Sequence, residues 1–166
     1  MRKPSAIANQ VPLWIATWFG VGLLPWAPGT WGSLAALPCA WAIISFGGPT
    51  ALVVASVMAF LVGCWASERV ARESGQHDPG FIVIDEVAAQ WLVLVALYYW
   101  LGPLDWRAYL AAFLLFRVFD IMKPWPARLV ERRVKGGLGI MLDDIVAAIY
   151  AVAVVSIGEG VFGVRP

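Results

Sequence analysis

Long apolar blocks dominate this chain, and the short polar stretches between them mark where each block ends. No charged residue stands between Lys3 and Glu68, and a second uncharged run separates Glu86 from Asp105. Residues 50–67 are apolar enough, and nearly long enough, to cross a bilayer as one helix, which takes about 20 residues. Further apolar helices are expected near residues 34–47, 87–101, 106–122 and 140–157, bounded by Gly47-Gly48-Pro49, Gly102-Pro103 and the Pro124/Pro126 pair. Residues 11–20 are too short to span, and their tryptophans suit a membrane interface. The following stretch GVGLLPWAPGTWGS, with its repeated glycine and proline, is expected to be an irregular turn. Either Ser33 caps a helix starting at Leu34, or the turn brings backbone N–H groups close to a ligand. A short basic segment, residues 127–134, is expected to lie along the surface. The pattern predicts an all-α, multi-spanning membrane bundle of about five helices in one domain covering residues 1–166.

Composition agrees with that reading. Hydrophobic residues make up 61% and charged residues 14%, with a mean hydropathy of +0.76. Ordinary soluble domains are about 45–50% apolar and about 25% charged. The two cysteines, Cys39 and Cys64, lie within apolar runs and are expected to pack as reduced thiols. The N-terminus has two basic residues but no compact apolar core followed by a small-residue cleavage site, so it is expected to be retained. A net charge of +1 with no basic run interleaved with aromatics excludes a nucleic-acid surface as the organising function.

The distribution of charge is more informative than its sum. With five spans and alternating loops, one side carries Arg2, Lys3, Arg69, Arg72, Lys123, Arg128, Arg132, Arg133 and Lys135, and the other only Arg107 and Arg165. The positive-inside rule places the first side in the cytoplasm. The same side receives the glycine turn, the stretch HDPGFIVIDE and the charged island at residues 116–144, in which a glycine-rich turn is expected to deliver Asp143 and Asp144.

Asp78, Asp85, Glu86, Asp120, Asp143 and Asp144 all fall near predicted helix ends on that side. Grouping carboxylates next to hydrocarbon is costly unless a cation compensates. Oxygen-only donors point to Mg²⁺ or Mn²⁺, and a single histidine, His77, with no nearby cysteine argues against zinc. Lys123 and Arg117 stand three residues either side of Asp120, near its helical face, and could hold an anionic group or pair with Asp120. Glu68, Arg69, Arg72 and Glu73 are expected on solvated turns of an emerging helix. No second histidine, Asp-x-Asp pair or Cys-x5-Arg loop supports the common alternative phosphatase chemistries. A transporter would place its acids at mid-helix, facing a pathway through the bilayer. A phospholipid phosphotransferase would carry an Asp-Gly-x2-Ala-Arg signature, which is absent.

Three stretches, GVGLLPWAPGTWGSLAA, HDPGFIVIDEVAAQW and FRVFDIMKPWPARLVERRVKGGLGIMLDDIVAA, resemble in order and spacing the three sequence blocks of the phosphatidylglycerophosphatase A family. The resemblance implies Mg²⁺-dependent removal of the terminal phosphate from phosphatidylglycerophosphate in the bacterial inner membrane. On that reading Asp85, Glu86, Asp120, Asp143 and Asp144, with Asp78, form the metal shell, and one of them serves as base or nucleophile. Lys123 neutralises the phosphoryl oxygens, helped by Gly29, Thr30, Gly32, Ser33 and Arg117. Arg128, Arg132 and Arg133 meet the lipid's internal phosphate or neighbouring anionic lipids.

Overall fold

The computed structural model describes residues 10–162, apart from the side chains at 130–132 and 159–162. Arg2, Lys3 and Arg165 of the charge count, the retained N-terminus and the side chain of Arg132 lie outside the described residues. The described chain is entirely helical. Helix α1, Gln10–Ala16, buries Pro12, Leu13 and Ala16 and exposes Val11 and Trp14, as expected of an interfacial segment. A turn and a 3₁₀ segment, Val21–Leu23, connect it to α2, Pro28–Ser74. Then follow α3, Ile84–Leu101; α4, Trp106–Met122; α5, Ala127–Arg133; and α6, Gly136–Phe162.

Helix α2 is two limbs. Gly48, with φ 75° and ψ 176°, leaves helical geometry just before Pro49, which has no N–H to continue the ladder. The contacts of the limbs give their directions. In the first, Gly29 faces Glu86 and the carbonyl of Ala36 accepts from Trp91 Nε1 at 2.9 Å, so it runs parallel to α3. In the second, Thr50 meets Tyr99 at 3.3 Å and Gly63 meets Ile84, so it runs antiparallel to α3. The chain therefore reverses at Gly48, and both ends of α2 lie at the end of the bundle where α3 begins. The C-terminus of α4 and the start of α6 arrive there too, since Arg117 contacts Glu86 and Gly137 contacts Cys64 and Glu68. All three acid-bearing stretches thus gather at one end, as the alternation of spans predicts.

Three helical starts differ from expectation. Helix α2 begins at Pro28 instead of Leu34, so Gly29 to Ser33 are helical and do not form a turn. Pro28 fits the first helical turn, where an N–H would go unused. Gly29 and Gly32 supply close packing: a Cβ at Gly32 would stand 2.7 Å from Val83 Cβ. Helix α3 begins at Ile84, placing Asp85 and Glu86 inside its first turn. Helix α6 begins at Gly136, so Asp143 and Asp144 sit two turns inside a helix. The glycines there let α6 lie against α2, since a Cβ at Gly137 would meet the Cys64 carbonyl at 1.9 Å. Glu68, expected in solvent, accepts the Gly137 N–H at 2.7 Å and so fixes the start of α6.

Many large apolar side chains lie on the outer surface, among them Val54, Leu61, Leu114 and Ile149. Three helices, α2, α3 and α6, are long and apolar enough to cross a membrane. Exposed aromatics gather at both ends of the bundle: Trp14, Trp26 and Trp125 where α3 begins, and Phe46, Trp100 and Trp106 at the other. That is the belt arrangement of aromatic side chains at two membrane interfaces.

Replacing Gly137 by Ala sets a methyl group against backbone that cannot yield. It is expected to cost about 1–3 kcal/mol or more, read as a lower unfolding midpoint in detergent. Gly158→Ala, where a Cβ meets nothing within 4 Å, is expected not to lower it.

Candidate active site

The first turn of α3 is a favourable place for negative charge, because the helix dipole is positive there. Asp85 and Glu86 occupy it. Met141 of α6 packs against Gly63, beside Ile84, and one turn further Asp144 faces the same point. Asp85, Glu86 and Asp144 each bring a carboxylate oxygen within 4.8 Å of the others. Asp85 is 8% exposed and Asp144 4%. One oxygen of each, Asp85 Oδ1, Glu86 Oε2 and Asp144 Oδ2, is buried without a hydrogen-bond partner among the described residues.

Arg117 from α4 is the nearest compensating charge. Its Nη1 lies 3.7 Å from Glu86 Oε1 and forms a close ion pair with Asp120 Oδ2. Gly29 closes this side of the cluster, where a Cβ would stand 1.9 Å from Glu86 Oε1. Asp120 is also within electrostatic reach of Glu86 and Asp144. Four carboxylates are therefore gathered in a largely buried setting, and the guanidinium of Arg117 pairs with two of them, Glu86 and Asp120.

Helix α4 ends at Met122, and Lys123 takes a left-handed conformation, φ 42° and ψ 65°. That turn brings Lys123 to α6, where its Nζ donates to Asp143 Oδ2 at 2.6 Å. Adjacent helical residues point about 100° apart, so Asp144 faces the carboxylate cluster while Asp143 faces Lys123. On its other side Asp143 borders a small cavity of about 10 Å³ with His77, Asp78, Gly139 and Ile140. Beyond the turn, the Nη2 of Arg128 donates to the Met122 carbonyl at 3.2 Å. Arg133 is exposed.

The six acids proposed from sequence do come to one end of the bundle, but they divide. Asp85, Glu86 and Asp144 form the tight group, with Asp120 held beside it by Arg117. Asp143 belongs with Lys123, and Asp78 lies on the rim. Arg117 takes the second of its two expected roles, pairing with Asp120: its side chain is 14% exposed and engaged by carboxylates. Ser33 is buried and donates to the Gly29 carbonyl at 3.0 Å, so its hydroxyl is not turned to a phosphate. Gly32 packs under Val83, and Thr30 is half-buried in the first turn of α2.

Sequence reasoning missed three residues. Gln90, one turn past Glu86 on the same face, is fully buried with both amide atoms unpartnered among the described residues. Its signal was a lone amide inside an uncharged run, four residues after an acid. Glu68 was hidden because its partner is a backbone N–H sixty-nine residues away. His77 was set aside as a metal ligand although it directly precedes an acid of the group.

The family model described as Phosphatidylglycerophosphatase A matches residues 14–159. The chain belongs to the phosphatidylglycerophosphatase A family. Among its relatives, a protein named Phosphatidylglycerophosphatase A from Haemophilus influenzae is 42% identical over 153 residues, covering 92% of this chain and 91% of the relative. One of the same name from Escherichia coli is 39% identical over 140 residues, covering 84% and 78%. A protein from Bacteroides thetaiotaomicron named Putative phosphatidylinositol-3-phosphatase is 35% identical over 173 residues, covering 98% and 100%. No solved structure matches the chain. The phosphatidylglycerophosphatase A match runs from α1 into α6 and includes every element that supplies the cluster. It makes the protein a phosphomonoester hydrolase and sets aside the transporter.

Arg117 is the electrostatic keystone of the cluster. Arg117→Gln leaves Glu86 and Asp120 buried without their cation and is expected to destabilise the protein by about 3–5 kcal/mol. Adding Asp120→Asn should recover part of that loss in thermal unfolding. An unfolding midpoint unchanged by Arg117→Gln would contradict this role.

Proposed function

We propose that this protein removes the terminal phosphate of phosphatidylglycerophosphate, yielding phosphatidylglycerol and inorganic phosphate. The reaction depends on Mg²⁺, for which Mn²⁺ can substitute, and takes place at the cytoplasmic face of a bacterial inner membrane. One observation carries the reading: three carboxylates, each with one buried oxygen that has no hydrogen-bond partner among the described residues, converge within 4.8 Å at the end of an apolar bundle. Buried acids of like charge need a cation to compensate their lost hydration. An all-oxygen donor set of this kind suits a hard divalent ion, with no histidine or cysteine in the group to favour zinc.

Asp85, Glu86 and Asp144 would hold the ion, and Asp120 stands beside them, oriented by Arg117. A divalent cation bound there supplies Lewis-acid withdrawal of charge from a phosphoryl oxygen. Lys123, aimed inward by Asp143, neutralises the other phosphoryl oxygens as the ester bond to the headgroup breaks. A carboxylate of the cluster either takes a proton from the water that attacks phosphorus or attacks phosphorus itself to give an acyl phosphate that water then hydrolyses. In both cases the departing glycerol oxygen leaves as the alcohol with a proton drawn from that water. Asp78 and His77 border the aqueous side, and the first turn of α2 with Gly29 and Thr30 forms the wall behind Glu86. Arg128 and Arg133 make the headgroup side of the site cationic.

The names of the Haemophilus influenzae and Escherichia coli relatives support the substrate. The Bacteroides thetaiotaomicron name supports the broader class, a phosphomonoester on a lipid headgroup. The cation-rich loops around the site support a cytoplasmic orientation.

Phosphate release from a short-chain phosphatidylglycerophosphate is the direct test. It is expected to require added Mg²⁺, to stop on chelation, and to fall by about a hundredfold or more in Asp144→Asn or Lys123→Ala. Chelator-resistant release, or near-normal release by either well-folded variant, would sink the assignment.

A further inference from the structure

The left-handed turn at Lys123 opens a cavity of about 500 Å³ between the end of α4 and α5, lined by Met122, Lys123, Pro124, Trp125, Arg128 and Leu129. Its two cations stand in different settings. Lys123 points into the protein and is joined to Asp143. Arg128 stands outside on α5 and reaches back to the last carbonyl of α4. That bond uses one of the five guanidinium N–H donors, and no other hydrogen bond of Arg128 is found among the described residues. The remaining lining is apolar, and Met122 and Trp125 are 61% and 75% exposed, as side chains at a lipid interface would be. Tyr150 holds this wall in place by donating to the Trp125 carbonyl at 2.7 Å, while its ring stacks on Phe119. Arg133 does not line the cavity.

We propose that this cavity is a second phosphate subsite, in which Arg128 binds the phosphodiester that joins the headgroup to the diacylglycerol. The inference rests on the proposed function. A guanidinium suits a diester phosphate because its planar fork can meet two non-bridging oxygens at once, whereas an ammonium cannot. The terminal phosphate goes to the Lys123 side, and the apolar lining takes the glycerol and the start of the acyl chains. Arg128 thus determines specificity: it favours lipids carrying both a phosphomonoester and a diester over those, such as phosphatidic acid, with a single phosphate.

The experiment compares three probes on the full chain in detergent, wild type against Arg128→Gln and Arg128→Lys. They are short-chain phosphatidylglycerophosphate as substrate, short-chain phosphatidylglycerol as a ligand bearing only the diester, and inorganic phosphate as a ligand for the monoester side. In Arg128→Gln the KM and the dissociation constant of phosphatidylglycerol, measured by calorimetry, are expected to rise together by about tenfold to a hundredfold, the range of a charge-assisted hydrogen bond. Inhibition by inorganic phosphate should shift less than about twofold, and Arg128→Lys should restore part of the loss. Unchanged phosphatidylglycerol binding, or equal weakening of all three probes, would overturn the proposal. If the wild type hydrolyses no phosphatidylglycerophosphate, the functional reading fails, while the calorimetric comparison still decides whether Arg128 holds a diester.

Discussion

Four carboxylates gathered at one end of an apolar bundle, with one guanidinium pairing two of them, set the terms for the rest of this molecule. Each ion removed from water loses several kcal/mol of hydration. Arg117 can offset only part of that, being shared between Glu86 and Asp120. Asp85 and Asp144 have no such partner, and each keeps a buried oxygen unbonded among the described residues. A structure that retains this arrangement is built to receive positive charge. The helices must also bring the acids together from three separate parts of the chain and hold them against their mutual repulsion.

Close backbone approach provides that hold. Gly29 lets α2 touch Glu86, Gly32 lets it lie on Val83, and Gly63 admits Met141 beside Ile84. Gly137 brings α6 against the second limb of α2, where Glu68 binds its N–H. In a membrane, where apolar contact with a neighbouring helix is hardly better than contact with lipid, small residues at interfaces are the main way to gain packing. The same glycines that hold the bundle together therefore fix the positions of Asp85, Glu86 and Asp144. The left-handed turn at Lys123 then separates two tasks, keeping the carboxylate cluster on one side and a cationic, lipid-facing cavity on the other.

Much of this was legible in the sequence. The uncharged runs gave the spans, and the prolines at 49, 103, 124 and 126 gave their limits, because hydrocarbon tolerates few other signals. Asp78, Asp85, Glu86, Asp120, Asp143 and Asp144 stand out together because acids are rare here, and only the fold separates Asp85, Glu86 and Asp144 from the rest. What the sequence hid depends on contacts across the fold. Glycine and proline in GVGLLPWAPGTWGS looked like a loop, yet from Pro28 onward the glycines serve tight packing within a helix. Spacing placed both Arg117 and Lys123 near Asp120. Only the left-handed backbone at Lys123 shows that Arg117 takes Asp120 and Lys123 takes Asp143. Gln90 and Glu68 gain their meaning from burial and from a distant N–H, neither of which a linear pattern carries.

On the proposed function, Asp85, Glu86 and Asp144 together hold a divalent cation. A crystal structure of the protein grown with Mn²⁺, with anomalous scattering measured at the manganese edge, tests it most directly. One principal peak bonded to oxygens of these three carboxylates is expected, lost in Asp144→Asn. A peak at Asp143 with His77 and Asp78 instead, or none at the triad while Mn²⁺ supports activity, would contradict it.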